Sequence, residues 1–157
     1  MSTYEGLLRA ADIKRAEATF SHPWNDKSEI CGAQMSRLAG LSRSGVSLAR
    51  LAPGKESFAY HCHHREEEWI YILKGTAVAL IDGAEYQMEA GDFVGFATPS
   101  VAHNLANRSD EELVYLMGGE NHEYEIADFP VHDKRMIRRG EAIEIYTLSD
   151  AKPFFEE

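Results

Sequence analysis

Residues 60–75 read YHCHHREEEWIYILKG, with three histidines and three glutamates running into an apolar stretch. In an extended chain alternate side chains share a face. His61 and His63 therefore point one way, while Tyr60, Cys62 and His64 point the other. Histidines two apart on a strand stand roughly 6.6 Å apart at Cα, close enough for both imidazoles to grip one ion. Along the following run Glu68 shares a face with Ile70 and Ile72, and Trp69, Tyr71 and Leu73 share the other. If the isoleucine face lies inside a barrel, Glu68 is the carboxylate that enters it. Glu66 and Glu67 then belong to a solvated turn.

A divalent metal usually takes a fourth ligand. The segment GDFVGFATPSVAHNLAN (91–107) offers His103, on a run where Leu105 and Asn107 share its face. Three neutral imidazoles and one carboxylate suit Zn, Mn, Fe, Co or Ni better than Ca or Mg. His64 has the wrong parity for this set. His22, His122 and His132 lie in polar or irregular segments and are expected at the surface.

The surrounding sequence is β-rich from Gly45 onward. Short runs (VSLARL, ESFAYHCH, EWIYIL, TAVALI, EYQM, DFVGF, HNLAN, ELVYLM) alternate with turn signals such as PGK, EAGD and NRSDEE. Asp82-Gly83 predicts a hairpin of type I′, whose two central residues both need positive φ. Strands this short and closely spaced predict an antiparallel sandwich or barrel, an all-β fold without βα alternation. Residues 1–40 read differently, as a partly helical arm in which GLLRAADIKRAEATF can form one or two helical turns and Pro23 breaks the chain. Residues 41–119 are the expected barrel core. Residues 120–157 form a C-terminal extension, with EAIEIYTL as a last strand, that packs on the barrel or on a partner subunit.

Composition narrows the function classes. With 157 residues the chain is long enough for one domain with a true core. A net charge of −10 argues against a nucleic-acid surface, and the one basic cluster, KRMIRR (134–139), is short. No signal-like or membrane-spanning stretch stands out, and Cys31 and Cys62 make no disulfide framework, so a cytoplasmic setting is expected. Cys62, Trp69 and Tyr71 read as packing residues. Arg50 shares a face with Val46 and Leu48; turned inward it could hold an anionic substrate, though an exposed ion pair is the commoner fate.

Two segments resemble the signatures of the cupin superfamily. The first runs Gly54, six residues, His61-Cys62-His63, four residues, Glu68, six residues, Gly75, a spacer one longer than usual after the first glycine. Its Glu-to-Gly count selects Glu68 over its neighbours. The second opens at Gly91-Asp92 and closes with His103, three residues and Asn107, with Thr98-Pro99-Ser100 replacing the usual Pro-any-Gly. The tail GGENHEYEIADFPVHDK resembles that of small single-domain bacterial cupins near the sugar-phosphate isomerase branch. The resemblance implies a jelly-roll barrel (a double-stranded β-helix), a metal at its centre held by His61, His63, Glu68 and His103, and often a homodimer.

Such a site leaves coordination positions for substrate or water, which permits Lewis-acid isomerisation or dioxygenase chemistry. The expected function is a metal-dependent enzyme on a small oxygen-rich metabolite such as a sugar or sugar phosphate. The alternatives are a dioxygenase and a non-catalytic small-molecule-binding module. No catalytic acid or base is assignable from the sequence.

Overall fold

The computed structural model describes residues 4–155. Two short helices, α1 (Ala10–Arg15) and α2 (Met35–Leu38), accompany a succession of strands. These are β1 (Ala18–Phe20), β2 (Ile30–Gln34), β3 (Ser44–Leu51), β4 (Cys62–His63), β5 (Glu68–Lys74), β6 (Thr76–Ile81), β7 (Ala84–Glu89), β8 (Phe93–Phe96), β9 (His103–Ala106), β10 (Leu113–Glu120), β11 (Tyr124–Phe129), β12 (Lys134–Arg139) and β13 (Ala142–Thr147). They form three antiparallel sheets, ordered β1-β2-β3-β10-β5-β8, β13-β12-β11-β4 and β7-β6-β9.

The alternation read from the sequence sets the inside of the barrel. Ile70 and Ile72 of β5 are buried, whereas Tyr71 and Leu73 face solvent. They join Leu51, Leu105, Leu113 and Tyr115 in one apolar cluster drawn from all of the largest strands. The β6–β7 hairpin turns through Asp82 and Gly83, both at positive φ (49° and 77°), as the Asp-Gly pair predicts.

Two stretches depart from the sequence reading. ESFAYHCH is not one continuous strand: only Cys62–His63 joins a ladder, and the rest touches β9 through single bridges at Glu56–Ala106 and His61–His103. The chain is shared between β9 and β11, so neither ladder runs its length. Conversely, β11 and β12 were hidden by their charge. KRMIRR is a strand because its arginines find acidic partners: Arg135 pairs with Asp128 at 2.7 Å, Arg138 with Glu66, and Arg139 with Glu144. The arm, in addition to the six-residue helix α1, contributes β1 and β2 to the largest sheet.

Asn107 anchors the loop between β9 and β10. Fully buried, it donates to the carbonyls of Leu51 (2.9 Å) and Glu111 (2.7 Å) and accepts from the Ser109 amide (3.0 Å) and hydroxyl (2.8 Å). Asn107→Ala strands several buried groups and should cost roughly 2–4 kcal/mol, read as a shift in urea midpoint.

The Asp128–Arg135 pair carries a pH signature. The hydrogen bond from Arg135, aided by His64, outweighs burial and holds the Asp128 carboxyl below its ordinary range. A carboxyl lowered on folding stabilises fully above its unfolded pKa, near 3.8, and that contribution is lost as pH falls through the folded value. Asp128→Asn should therefore flatten the acid limb of a melting-temperature profile.

Candidate metal centre

Each of the three sheets, or its flank, supplies at least one candidate ligand. β5 begins at Glu68, β9 begins at His103, and His61 and His63 bracket the start of β4. Backbone bonds between His61 and His103 (3.1 and 2.8 Å) clamp two of these segments together. The turn that replaces Pro-any-Gly secures a third contact. Ser100 accepts the His63 amide through its hydroxyl at 2.7 Å and donates its own amide to the His63 carbonyl at 2.8 Å.

The side chains converge. Glu68 Oε2 lies 2.9 Å from His103 Nε2, 3.4 Å from His63 Nε2 and 3.9 Å from His61 Nε2. His61 Nε2 and His63 Nε2 are 3.1 Å apart. His61, His63 and Glu68 form a mutually close ligand group, and His103 joins it through Glu68. His61 and His103 are almost fully buried, and the His103 ring stacks on Phe96 with centroids 3.6 Å apart.

The donor set suits a cation. His61 Nδ1 faces the Ala59 carbonyl at 2.7 Å and His103 Nδ1 faces the Val101 carbonyl at 3.0 Å. A carbonyl only accepts, so both Nδ1 atoms carry protons, and a neutral ring so anchored turns its Nε2 lone pair inward. At His103, Nε2 lies 2.9 Å from a carboxylate oxygen, a contact that a shared proton or a bound cation satisfies. Backbone anchoring of the distal ring nitrogen is also how metal-ligating histidines are oriented.

Burial pushes His61 down to about 4, with Glu68 opposing and His63 and His103 reinforcing, so it is neutral near pH 7. In His63 burial is outweighed by Glu68, Glu125 and Glu66, and the ring is raised. For Glu68 burial acts upward, but hydrogen bonds from His103 and His63 and the charges of His61 and His103 prevail. The carboxyl is held below its usual range and stays ionised.

The remaining candidates fall outside this group. His64 turns to Asp128 Oδ2 at 2.8 Å, as its parity predicts, and His122 lies by Glu120 at 3.3 Å. Arg50 points away from the barrel, bonded to Glu17 (3.0 Å) and Glu112 (3.1 Å). Trp69 stacks on Phe93 outside the barrel. Burial and the Asp128 carboxylate push the Cys62 thiol up, away from nucleophilic character.

Three residues stand closer to the site than the sequence suggested. Glu125, fully buried, accepts the backbone amides of His64 (3.0 Å), Arg65 (3.3 Å) and Glu66 (2.7 Å) and lies 3.8 Å from His63 Nδ1. Glu66 is buried rather than solvated, receiving the His122 amide at 2.7 Å and the Arg138 guanidinium. These bonds occupy the carboxylates of a second acidic cluster, His63, Glu66 and Glu125. The third, His22, was expected at the surface; instead it borders the cavity that His61, His63 and Glu68 also line. Glu125 shares its strand face with the buried Ala127 and Phe129, a signal that its charge masks, whereas tertiary packing alone brings in His22.

That cavity holds about 370 Å³ and is mostly apolar, walled by Phe20, Phe58, Phe129, Met117 and Met136. Glu66, Glu67 and Glu120 add acidic groups, and among the described residues no Lys or Arg lines it.

Comparison with known proteins agrees with this architecture. Residues 47–119 match the Cupin domain family. A candidate sugar phosphate isomerase from Acidithiobacillus ferrooxidans is 31% identical, with a TM-score of 0.91 over 97% of this chain and 98% of that one. A cupin-superfamily sugar phosphate isomerase from Silicibacter pomeroyi is 25% identical, with a TM-score of 0.79 over 95% and 96%. An oxalate decarboxylase predicted in Thermotoga maritima is 22% identical, with a TM-score of 0.63 over 74% and 99%, and shares the fold. Among curated proteins none matches significantly.

Proposed function

Since the chain belongs to the cupin superfamily, we propose that it is a divalent-metal-dependent enzyme acting on a small oxygen-rich metabolite, with isomerisation of a sugar-like hydroxy-carbonyl compound as its reaction. The convergence of His61, His63, Glu68 and His103, the first three of which line a cavity, carries the proposal. These four residues would hold the ion. Bound there, a transition metal supplies Lewis acidity toward adjacent carbonyl and hydroxyl oxygens. The protein's own part is to hold the ligand geometry through the Ala59 and Val101 carbonyls, to keep Glu68 ionised, and to exclude water with aromatic walls. The names of the two closely matching structures support the isomerase class.

Protein purified without chelator should contain about one ion per chain. Incubated with small aldoses and ketoses in deuterated water, it should interconvert a pair and place deuterium at the carbon beside the carbonyl. Oxygenase chemistry is the alternative that the aromatic lining favours. Oxygen consumption with an apolar enol or phenol, and no aldose–ketose exchange, would select it.

A further inference from the structure

His22 sits in the irregular arm, far in sequence from both motifs, yet it borders the same cavity as His61, His63 and Glu68. Its placement is built. The His22 backbone amide donates to the buried Ser28 hydroxyl at 2.9 Å, which closes the loop of residues 22–28. The ring packs against Trp24 (5.3 Å), Phe129 (5.4 Å) and Phe58 (6.3 Å). Phe129 in turn stacks on His61 at 5.7 Å, so one aromatic ring separates His22 from the metal centre.

The hydrogen bonding assigns the tautomer. The Trp24 backbone amide donates to His22 Nδ1 at 3.2 Å. An amide only donates, so Nδ1 is the acceptor and the proton of the neutral ring is on Nε2. Burial, with His132 nearby, lowers the pKa and keeps the ring neutral. Among the described residues Nε2 has no hydrogen-bond partner, and it is not among the fully enclosed polar atoms that lack one. It is an N–H donor without a protein partner, on a residue that borders the cavity between its aromatic wall and the His/Glu group.

We infer that His22 is a ligand-binding residue whose Nε2–H donates a hydrogen bond to an oxygen of the molecule held over the metal centre, and that this molecule is uncharged rather than phosphorylated. The charge pattern of the cavity supplies the second half. A neutral imidazole suits a carbonyl or hydroxyl oxygen. A phosphate dianion would meet Glu67 and Glu120, with Glu66 already paired to Arg138 and no Lys or Arg on the lining to receive it. Arg50, the basic residue closest to a phosphate role in the sequence, is committed to Glu17 and Glu112 outside. The inference rests on the proposed function for the presence of the ion, but not for the state of His22.

Histidine-selective 15N spectra of the full-length protein test it. At pH 7 His22 should appear as the neutral Nε2–H tautomer with or without metal; an Nδ1–H ring or an imidazolium would overturn the assignment. The zinc-loaded protein is then titrated with C3–C6 aldoses and ketoses and with their terminal phosphates. At least one unphosphorylated sugar should shift His22 Nε2, bind about tenfold or more weaker to His22→Phe, and recover in His22→Gln, which restores a donor. Metal content should be the same in all three proteins. The inference is overturned if no sugar moves His22, if sugars move the ligand histidines but not His22, or if the phosphates bind more tightly than their parents. A protein that holds no zinc but still shows the His22 response would leave the inference standing and remove the metal reading alone.

Discussion

Replacing His61 or His103 by alanine is expected to cut the metal content of protein purified without chelator from about one ion per chain to below roughly a tenth. The two side chains enter from different segments and play distinct parts. His61 meets His63 at 3.1 Å, whereas His103 is the closest imidazole to Glu68, at 2.9 Å. Both are anchored at Nδ1 by a backbone carbonyl and cannot be replaced by a neighbour that swings in. The histidine adjacent in sequence, His64, is held at 2.8 Å by Asp128. His64→Ala is therefore the matched control and should keep its ion. Elemental analysis of the three variants decides the matter, and full metal in both test variants would falsify the ligand set.

Gly119→Ala should be among the most damaging single substitutions outside the histidines, costing about 3 kcal/mol or more and about 10 °C in melting temperature. Strand β10 lies between β3 and β5, and Gly119 pairs with Gly45 on one side and Glu68 on the other. A Cβ at Gly119 would fall on the Glu67 carbonyl oxygen and lie 3.2 Å from the Glu68 Cα. Both obstacles are backbone, so no side chain can turn aside to make room. At the adjacent Gly118 a Cβ would meet the Trp69 ring at 2.5 Å and the Gly45 carbonyl at 2.6 Å. Relief requires β5 to shift away from β10, and β5 carries Glu68. Calorimetry should show the loss of stability, and at temperatures where the variant stays folded its metal affinity should fall as well.

Strand parity was a sound guide wherever one face of a strand is buried. It placed His61 and His63 together, excluded His64, and put Glu68 with the buried Ile70 and Ile72. The barrel was legible for the same reason, since turn residues and short apolar runs report local preferences that the final packing does not contradict. The Asp82-Gly83 turn is the clearest case. The extension was less legible because β12 is held by ion pairs with residues far along the chain, such as Arg138 with Glu66. Local sequence reads such a strand as a basic cluster. His22 was illegible for a related reason. Its role comes from Ser28, Trp24 and Phe129 meeting around it, and only the first two are near it in sequence.

The buried Glu125 carboxylate, with three backbone amides directed at it, sits on β11, beyond the 47–119 segment that matches the Cupin domain. Those amides belong to the turn that spaces His63 from Glu68. The candidate ligands and the ruler that sets their separation therefore lie in different parts of the chain. A fragment ending at residue 119 would keep every motif residue yet lose the template for the interval between them. The tail is better understood as scaffolding for the candidate metal centre than as an appendage to a barrel already complete.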